Sequence, residues 1–241
     1  MAKTFVVIAT YNEKENIERL IREIFALKII DLEVIIVDDN SPDGTGQIAD
    51  ELQKESPLKV IHRAGKLGLG SALIAGFGLA LSEGADNIIT LDADFSHNPQ
   101  DIPRLFSAID DGFNLVIGSR KINGGKIIGW SPWRHFCSTG AMWFSRAALG
   151  IKTRDVTTNF RCYTKKALEA IDYKKIKSNG YSFFEETIYL AEKAGLAIKE
   201  VPVVFNDRTA GKSKLSRKEI VNFFINNNIF FSKIIFRKIN H

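Results

Sequence analysis

Cysteine, histidine and long apolar runs are all scarce in this chain. The two cysteines, Cys137 and Cys162, and the four histidines, His62, His97, His135 and His241, show no metal-cluster spacing. That argues against a zinc site, and two free thiols fit a reducing compartment. No stretch offers the roughly 20 uninterrupted apolar residues that span a bilayer. Met1-Ala2-Lys3 leads at once into an apolar strand pattern, leaving no room for a signal peptide, so the expected location is the cytosol or the cytoplasmic face of a membrane. Glycine fingerprints are missing where nucleotide-binding folds need them. Ala9-Thr10-Tyr11-Asn12-Glu13 stands where a dinucleotide motif would follow the first strand, and in Gly65-Lys66-Leu67-Gly68-Leu69-Gly70-Ser71 the lysine lies at the wrong end for a Walker A loop. The glycine stretch reads instead as the opening of a helix from Ser71 to Leu81, with Ala72, Ala75, Gly76 and Gly78 allowing close approach to a sheet and Lys66 within reach of a phosphate. No repeat or linker divides the chain.

The 241 residues are 45% hydrophobic and 25% charged, ordinary for one soluble globular domain with a real core. A net charge of +5 suits an anionic partner, and equally suits plain solubility. The most informative segment is Asn87-Ile88-Ile89-Thr90-Leu91-Asp92-Ala93-Asp94, a buried-strand pattern that ends in two carboxylates one residue apart. On an extended strand such residues point the same way, so Asp92 and Asp94 can converge on one divalent cation. Mg²⁺ or Mn²⁺ bound there would keep waters and take further ligands from substrate phosphates, which points to a nucleotide-diphosphate substrate.

The same pattern occurs twice upstream. An apolar strand from Thr4 runs into Thr10-Tyr11-Asn12-Glu13, and Glu33–Val37 runs into Asp38-Asp39-Asn40-Ser41-Pro42-Asp43-Gly44. Helical patterns follow from Glu15 to Leu27, with Ile17, Leu20, Ile21 and Ile24 on one face, from Gln47 to Leu52, and from Gln100 to Ile109. Alternating strands and helices predict an α/β fold with a mostly parallel sheet, helices on both faces and ligands at the carboxyl ends of the strands.

These three acidic motifs, in this order and spacing, resemble the family 2 glycosyltransferases of GT-A fold, and within them the dolichol-phosphate mannose synthases and their polyprenyl-phosphate relatives. The likeness continues through Ile117-Gly118-Ser119-Arg120, Asp155–Tyr163, Glu200-Val201-Pro202, Asp207-Arg208 and Gly211–Leu215. It implies a GT-A domain over residues 1–215, with a donor-binding half of about 1–118 and an acceptor-binding half of about 119–215. It also implies inverting transfer of mannose from GDP-mannose to dolichyl or polyprenyl phosphate, giving a β-linked product. UDP-glucose is the alternative donor, and an inactive lipid-binding or regulatory subunit the alternative of another class. By resemblance, Ala9, Tyr11, Glu13, Val37 and Asp39 hold the base and ribose, while Asp92, Ala93 and Asp94 meet the diphosphate. Asp92, Asp94 and Ser96, the last directly or through water, hold the Mg²⁺ or Mn²⁺. Arg208 and Lys214 clamp the departing diphosphate, Arg120 is shared between donor and acceptor, and with Arg134 and Ser138 it takes the acceptor phosphate. Asp92, Asp94, Arg120 and Arg208 are the expected catalytic residues. Asn159 stands where relatives often have glycine, as a residue that tolerates left-handed geometry.

No histidine or carboxylate stands out as a base for the nucleophile, and a lipid phosphate needs none. With a second pKa of about 6, it presents an anionic oxygen at neutral pH. Residues 127–149 interleave Trp130, Trp133, Phe136, Trp143 and Phe144 with Lys126, Arg134 and Arg146, a composition suited to a membrane interface. Residues 216–241 read as an amphipathic helix, with Phe223, Phe224, Phe230 and Phe231 beside Lys233, Arg237 and Lys238, placed at the same interface. Glu186 matches an acidic family position of open role. A small membrane-anchoring subunit stays open as a partner, and nothing argues for nucleic acid.

Overall fold

The strand segments Thr4–Thr10, Leu32–Asp38 and Asn87–Thr90 carry apolar side chains on both faces, and the fold buries both. The computed structural model describes residues 2–207; Arg208, Lys214 and the expected helix 216–241 lie outside the described residues. In chain order the elements are β1 (Thr4–Thr10), α1 (Ile17–Phe25), β2 (Leu32–Asp38), α2 (Thr45–Glu55), β3 (Leu58–His62), α3 (Leu69–Ser82), β4 (Asn87–Thr90), α4 (Ile102–Asp110), β5 (Leu115–Ser119), β6 (Lys126–Ile128), α5 (Pro132–Leu149), β7 (Arg161–Thr164), α6 (Lys165–Ala170), α7 (Tyr181–Lys193), β8 (Ile198–Pro202) and β9 (Val204–Asn206).

Seven strands form one sheet in the order β3-β2-β1-β4-β7-β5-β8, and β6 pairs with β9 beside it. All pairs in the large sheet are parallel except those of β7, which runs antiparallel between β4 and β5. The expected mostly parallel α/β sheet is therefore present. Alternation along β1 sends Phe5 and Val7 to one core, with Leu73, Phe77 and Phe183, and Val6 and Ile8 to the other, with Ile17, Leu20 and Ile24. The α1 face is the expected one.

α3 lies close on the sheet because Gly76 lets it. A Cβ there would stand 2.3 Å from Val7 Cγ1, whereas one at Gly78 would meet nothing nearer than 3.8 Å. Of the small residues expected to permit the approach, Gly76 is thus indispensable and Gly78 is not.

Candidate active site

Because β2, β1 and β4 are neighbours, their three polar ends meet at one edge of the sheet. Part of that acidity is structural. Asp38, buried at the end of β2, accepts from Thr10 Oγ1 at 2.8 Å, Ser41 N at 2.9 Å and Ser41 Oγ at 2.5 Å, and Ser41 Oγ in turn accepts from Asn12 N. Asp39 serves the glycine-rich loop: Oδ2 accepts from Leu67 N and Gly68 N, and Oδ1 faces Arg63 Nε at 3.0 Å. Gly68 sits at φ 98°, where a side chain would be strained. Lys66 is carried over the Tyr11 ring, 4.7 Å from its centroid. Glu13 is buried, with Oε2 on Asn16 Nδ2 at 3.0 Å and its amide on Thr45 Oγ1. Val37 is wholly buried in the core, which leaves only its main chain to a donor, while Ala9 is half-buried at the end of β1.

The sequence pattern carries strand β4 through Leu91 towards the carboxylates. The strand instead ends at Thr90, the chain turns at Ala93–Asp94, and Phe95 adopts φ 59°. Asp94 Oδ1 accepts from Ser96 N at 3.0 Å, the short-range bond by which aspartate competes with a continuing strand. The directions of Asp92 and Asp94 therefore come from a turn rather than from strand alternation. Asp94 is buried, and Asp92 is one-third exposed. Around them Ser96 Oγ, His97 Nδ1 and Asn159 Oδ1 are buried without a hydrogen-bond partner. His97 is held well below the usual histidine range, by burial first and by the Arg120 charge, against the pull of Asp92. Two carboxylates, a buried hydroxyl and unsatisfied acceptors are a hard, oxygen-rich set that fits Mg²⁺ or Mn²⁺ with ligands still to come from phosphate and water.

Across the sheet from these carboxylates, Arg120 at the end of β5 is buried against Asp155. Nε and Nη2 donate to the two carboxylate oxygens at 2.7 Å each, the main-chain N donates at 2.9 Å, and Nη2 also reaches Thr157 Oγ1. Burial opposes both charges, yet their mutual attraction and hydrogen bonds outweigh it, holding the guanidinium above its ordinary value and the carboxyl below its own. Arg134 lies in the first turn of α5, which Ser131 caps and Pro132 opens. Its Nη1 donates to Asp207 at 2.9 and 3.1 Å, and its guanidinium covers Trp130 at 4.2 Å. The Arg120 guanidinium lies 5.9 Å from the same ring. Ser138 follows Arg134 one helical turn on, half-buried on that face.

Sequence reasoning missed the residues that hold these groups. Asp155 sits inside a recognised motif, but no local signal pairs it with Arg120. Asn159 is not among the residues of positive φ, so it does not serve a left-handed turn; its Nδ2 donates to Asp92 Oδ1 at 2.9 Å. Fully buried Arg161 gathers the carbonyls of Val156, Thr158 and Phe184. Glu186 accepts from Ser178 Oγ at 2.5 Å. Of the interleaved aromatics, Trp130 is half-buried, whereas Trp133, Phe136, Trp143 and Phe144 stand 53–72% exposed on α5. No helix among the described residues is long and apolar enough to cross a membrane.

Comparison with known proteins places this geometry in context. Residues 5–172 match the profile of the glycosyl transferase family 2. The chain is 40% identical over 221 residues to a polyprenol monophosphomannose synthase of Mycolicibacterium smegmatis, covering 90% of this chain and 83% of that one. It is 39% identical over 215 residues to an undecaprenyl-phosphate mannosyltransferase of Micrococcus luteus, covering 89% and 88%. A dolichol-phosphate mannosyltransferase of Pyrococcus furiosus is 38% identical over 225 residues, covering 92% and 61%. Among solved structures, glucosyl-3-phosphoglycerate synthase of Mycobacterium tuberculosis, in complex with Mn²⁺, UDP and glucosyl-3-phosphoglycerate, shares the fold with a TM-score of 0.65 at 20% identity, over 92% of this chain and 76% of that one.

Proposed function

We propose that this chain, which belongs to glycosyltransferase family 2 and is a glycosyltransferase, moves mannose from GDP-mannose to a polyprenyl or dolichyl phosphate with inversion at the anomeric carbon. The observation that carries the reading is the single loop between α5 and β7. It ties the acidic end of β4, through Asn159, to the buried arginine at the end of β5, through Asp155. A donor diphosphate and an acceptor phosphate thereby have cognate groups in one site. The names of the relatives supply the sugar and the lipid.

In the proposed reaction an anionic oxygen of the lipid phosphate attacks the anomeric carbon as the bond to the diphosphate breaks, and the bonding pair leaves on the diphosphate oxygen. No proton need be removed first. Arg120, pinned by Asp155, keeps Nη1 outside its ion pair, and with Arg134 and Ser138 it positions the acceptor phosphate. Arg208 and Lys214 stabilise the charge that develops on the leaving diphosphate, where fixed cations act mainly on the transition state. Asp92, Asp94 and Ser96, the last directly or through water, would hold Mg²⁺ or Mn²⁺, which supplies Lewis-acid stabilisation of that diphosphate. Ala9, Tyr11, Glu13, Val37 and Asp39 form the floor for base and ribose. The exposed aromatic face of α5 rests on the lipid surface from which the acceptor is taken.

A radiolabel transfer assay with a short polyprenyl phosphate, comparing GDP-mannose with UDP-glucose in Mg²⁺, Mn²⁺ or chelator, tests the reading. Metal-dependent label in lipid from GDP-mannose is expected. Label from UDP-glucose alone would replace the sugar, and donor hydrolysis without lipid label would overturn the acceptor.

A further inference from the structure

Asn159 is nine-tenths buried and placed from both sides. Its carbonyl accepts from Thr90 Oγ1 at 2.5 Å at the last residue of β4, two residues before Asp92, and its amide nitrogen donates to Asp92 Oδ1. The loop behind it is stiffened by Arg161, which takes the carbonyls of Val156 and Thr158, and by Gly118 N on Phe160 O at 2.8 Å. Asp92 has no comparably short second bond, since His97 Nδ1 stands 3.7 Å from its Oδ2. The Asn159 amide is therefore what keeps this one-third exposed carboxylate from swinging into solvent. The Asn159 Oδ1 is buried and unpartnered beside it, free to accept from a metal-bound water or a donor hydroxyl. An amide turned the other way would set Oδ1 against the carboxylate, so the orientation follows from charge.

We propose that Asn159 is a positioning residue of the donor site, orienting Asp92 for the divalent cation and accepting a hydrogen bond from a water on that cation. The inference rests on the reading of Asp92 and Asp94 as metal carboxylates. Hydrogen-bond partners of metal ligands typically contribute about 10- to 100-fold in metal affinity.

The test is Mn²⁺ binding to the full chain in the presence of GDP, followed by the electron paramagnetic resonance of free Mn²⁺, for wild type, Asn159→Ala, Asn159→Gly and Asp92→Asn. Thermal melting is measured alongside. Both Asn159 variants keep the main-chain carbonyl that Thr90 uses, so a folded protein is expected with Mn²⁺ affinity about 10-fold weaker. A merely structural role would lower melting and leave Mn²⁺ affinity of the folded protein unchanged. Unchanged affinity in a folded Asn159 variant, while Asp92→Asn binds weakly, would overturn the inference and leave the metal reading standing. Unchanged affinity in Asp92→Asn would remove the metal reading and this inference with it.

Discussion

The two halves of the site hold their charged side chains by different means. At the edge proposed for the donor most bonds are short in sequence or join adjacent strand ends: Thr10 to Asp38, Ser41 to Asp38, Ser96 to Asp94. At the edge proposed for the acceptor the ties span 35 residues from Arg120 to Asp155 and 73 from Arg134 to Asp207. The donor edge is thus largely a local consequence of strands that stop, with the Asn159 bonds to Thr90 and Asp92 as its long-range exception. The acceptor edge needs segments as far along the chain as Asp207. Its cations are also unequal: the Arg120–Asp155 pair is almost fully buried, while both partners of Arg134–Asp207 are 36% exposed.

The largest expected effect lies at the donor edge. Asp94→Asn should abolish transfer with little change in melting temperature, measured by the radiolabel assay and a thermal scan; retained turnover with unchanged metal dependence would sink the assignment. Next comes the buried pair, where Asp155→Ala leaves an uncompensated guanidinium and should cost about 3–5 kcal/mol in urea unfolding. Asp207→Asn should cost under about 1 kcal/mol, because its pair is half in water. Equal costs for the two would erase the contrast between them.

The same contrast has a pH signature. Asp155 is held below its ordinary value in the fold, so its stabilisation is fully present above the unfolded aspartate value of about 3.9 and is lost as pH falls below it. Acid unfolding of wild type should therefore be steeper than that of Asp155→Ala over this range.

Gly76→Ala should destabilise by about 1–3 kcal/mol through overpacking on Val7, read by the shift in urea midpoint. The smallest effect on folding belongs to Trp133→Ser with Phe136→Ser. These should change stability by no more than about 0.5 kcal/mol each while weakening liposome flotation. Undiminished flotation would detach α5 from the lipid surface.

Much of the donor half was legible because hydrophobic period and strand-end polarity are local properties. The buried face of α1, the run of β1 and β2, and the meeting of three acidic ends follow from them. Period could not tell that Asp38 is consumed by Thr10 and Ser41, since Asp38 and Asp39 look alike until the turn is built. Nor could it show β7. Arg161–Thr164 opens with an arginine and has only four residues, a poor strand pattern whose place in the sheet is dictated by partners on both sides. The loop before β7 was legible as a motif and opaque as geometry, because Asp155 and Asn159 meet their partners only across the fold.

The position of β7 also bears on how the chain emerges during synthesis. β4, with its apolar Ile88 and Ile89, is made long before the strand that covers its outer edge. Until Arg161–Thr164 leave the ribosome, the nascent sheet carries an open edge of unpaired amides and carbonyls, the kind of template on which two incomplete chains can pair. Slow translation or truncation just before residue 161 thus leaves the β4 edge open to such pairing, and a late antiparallel strand is what closes it.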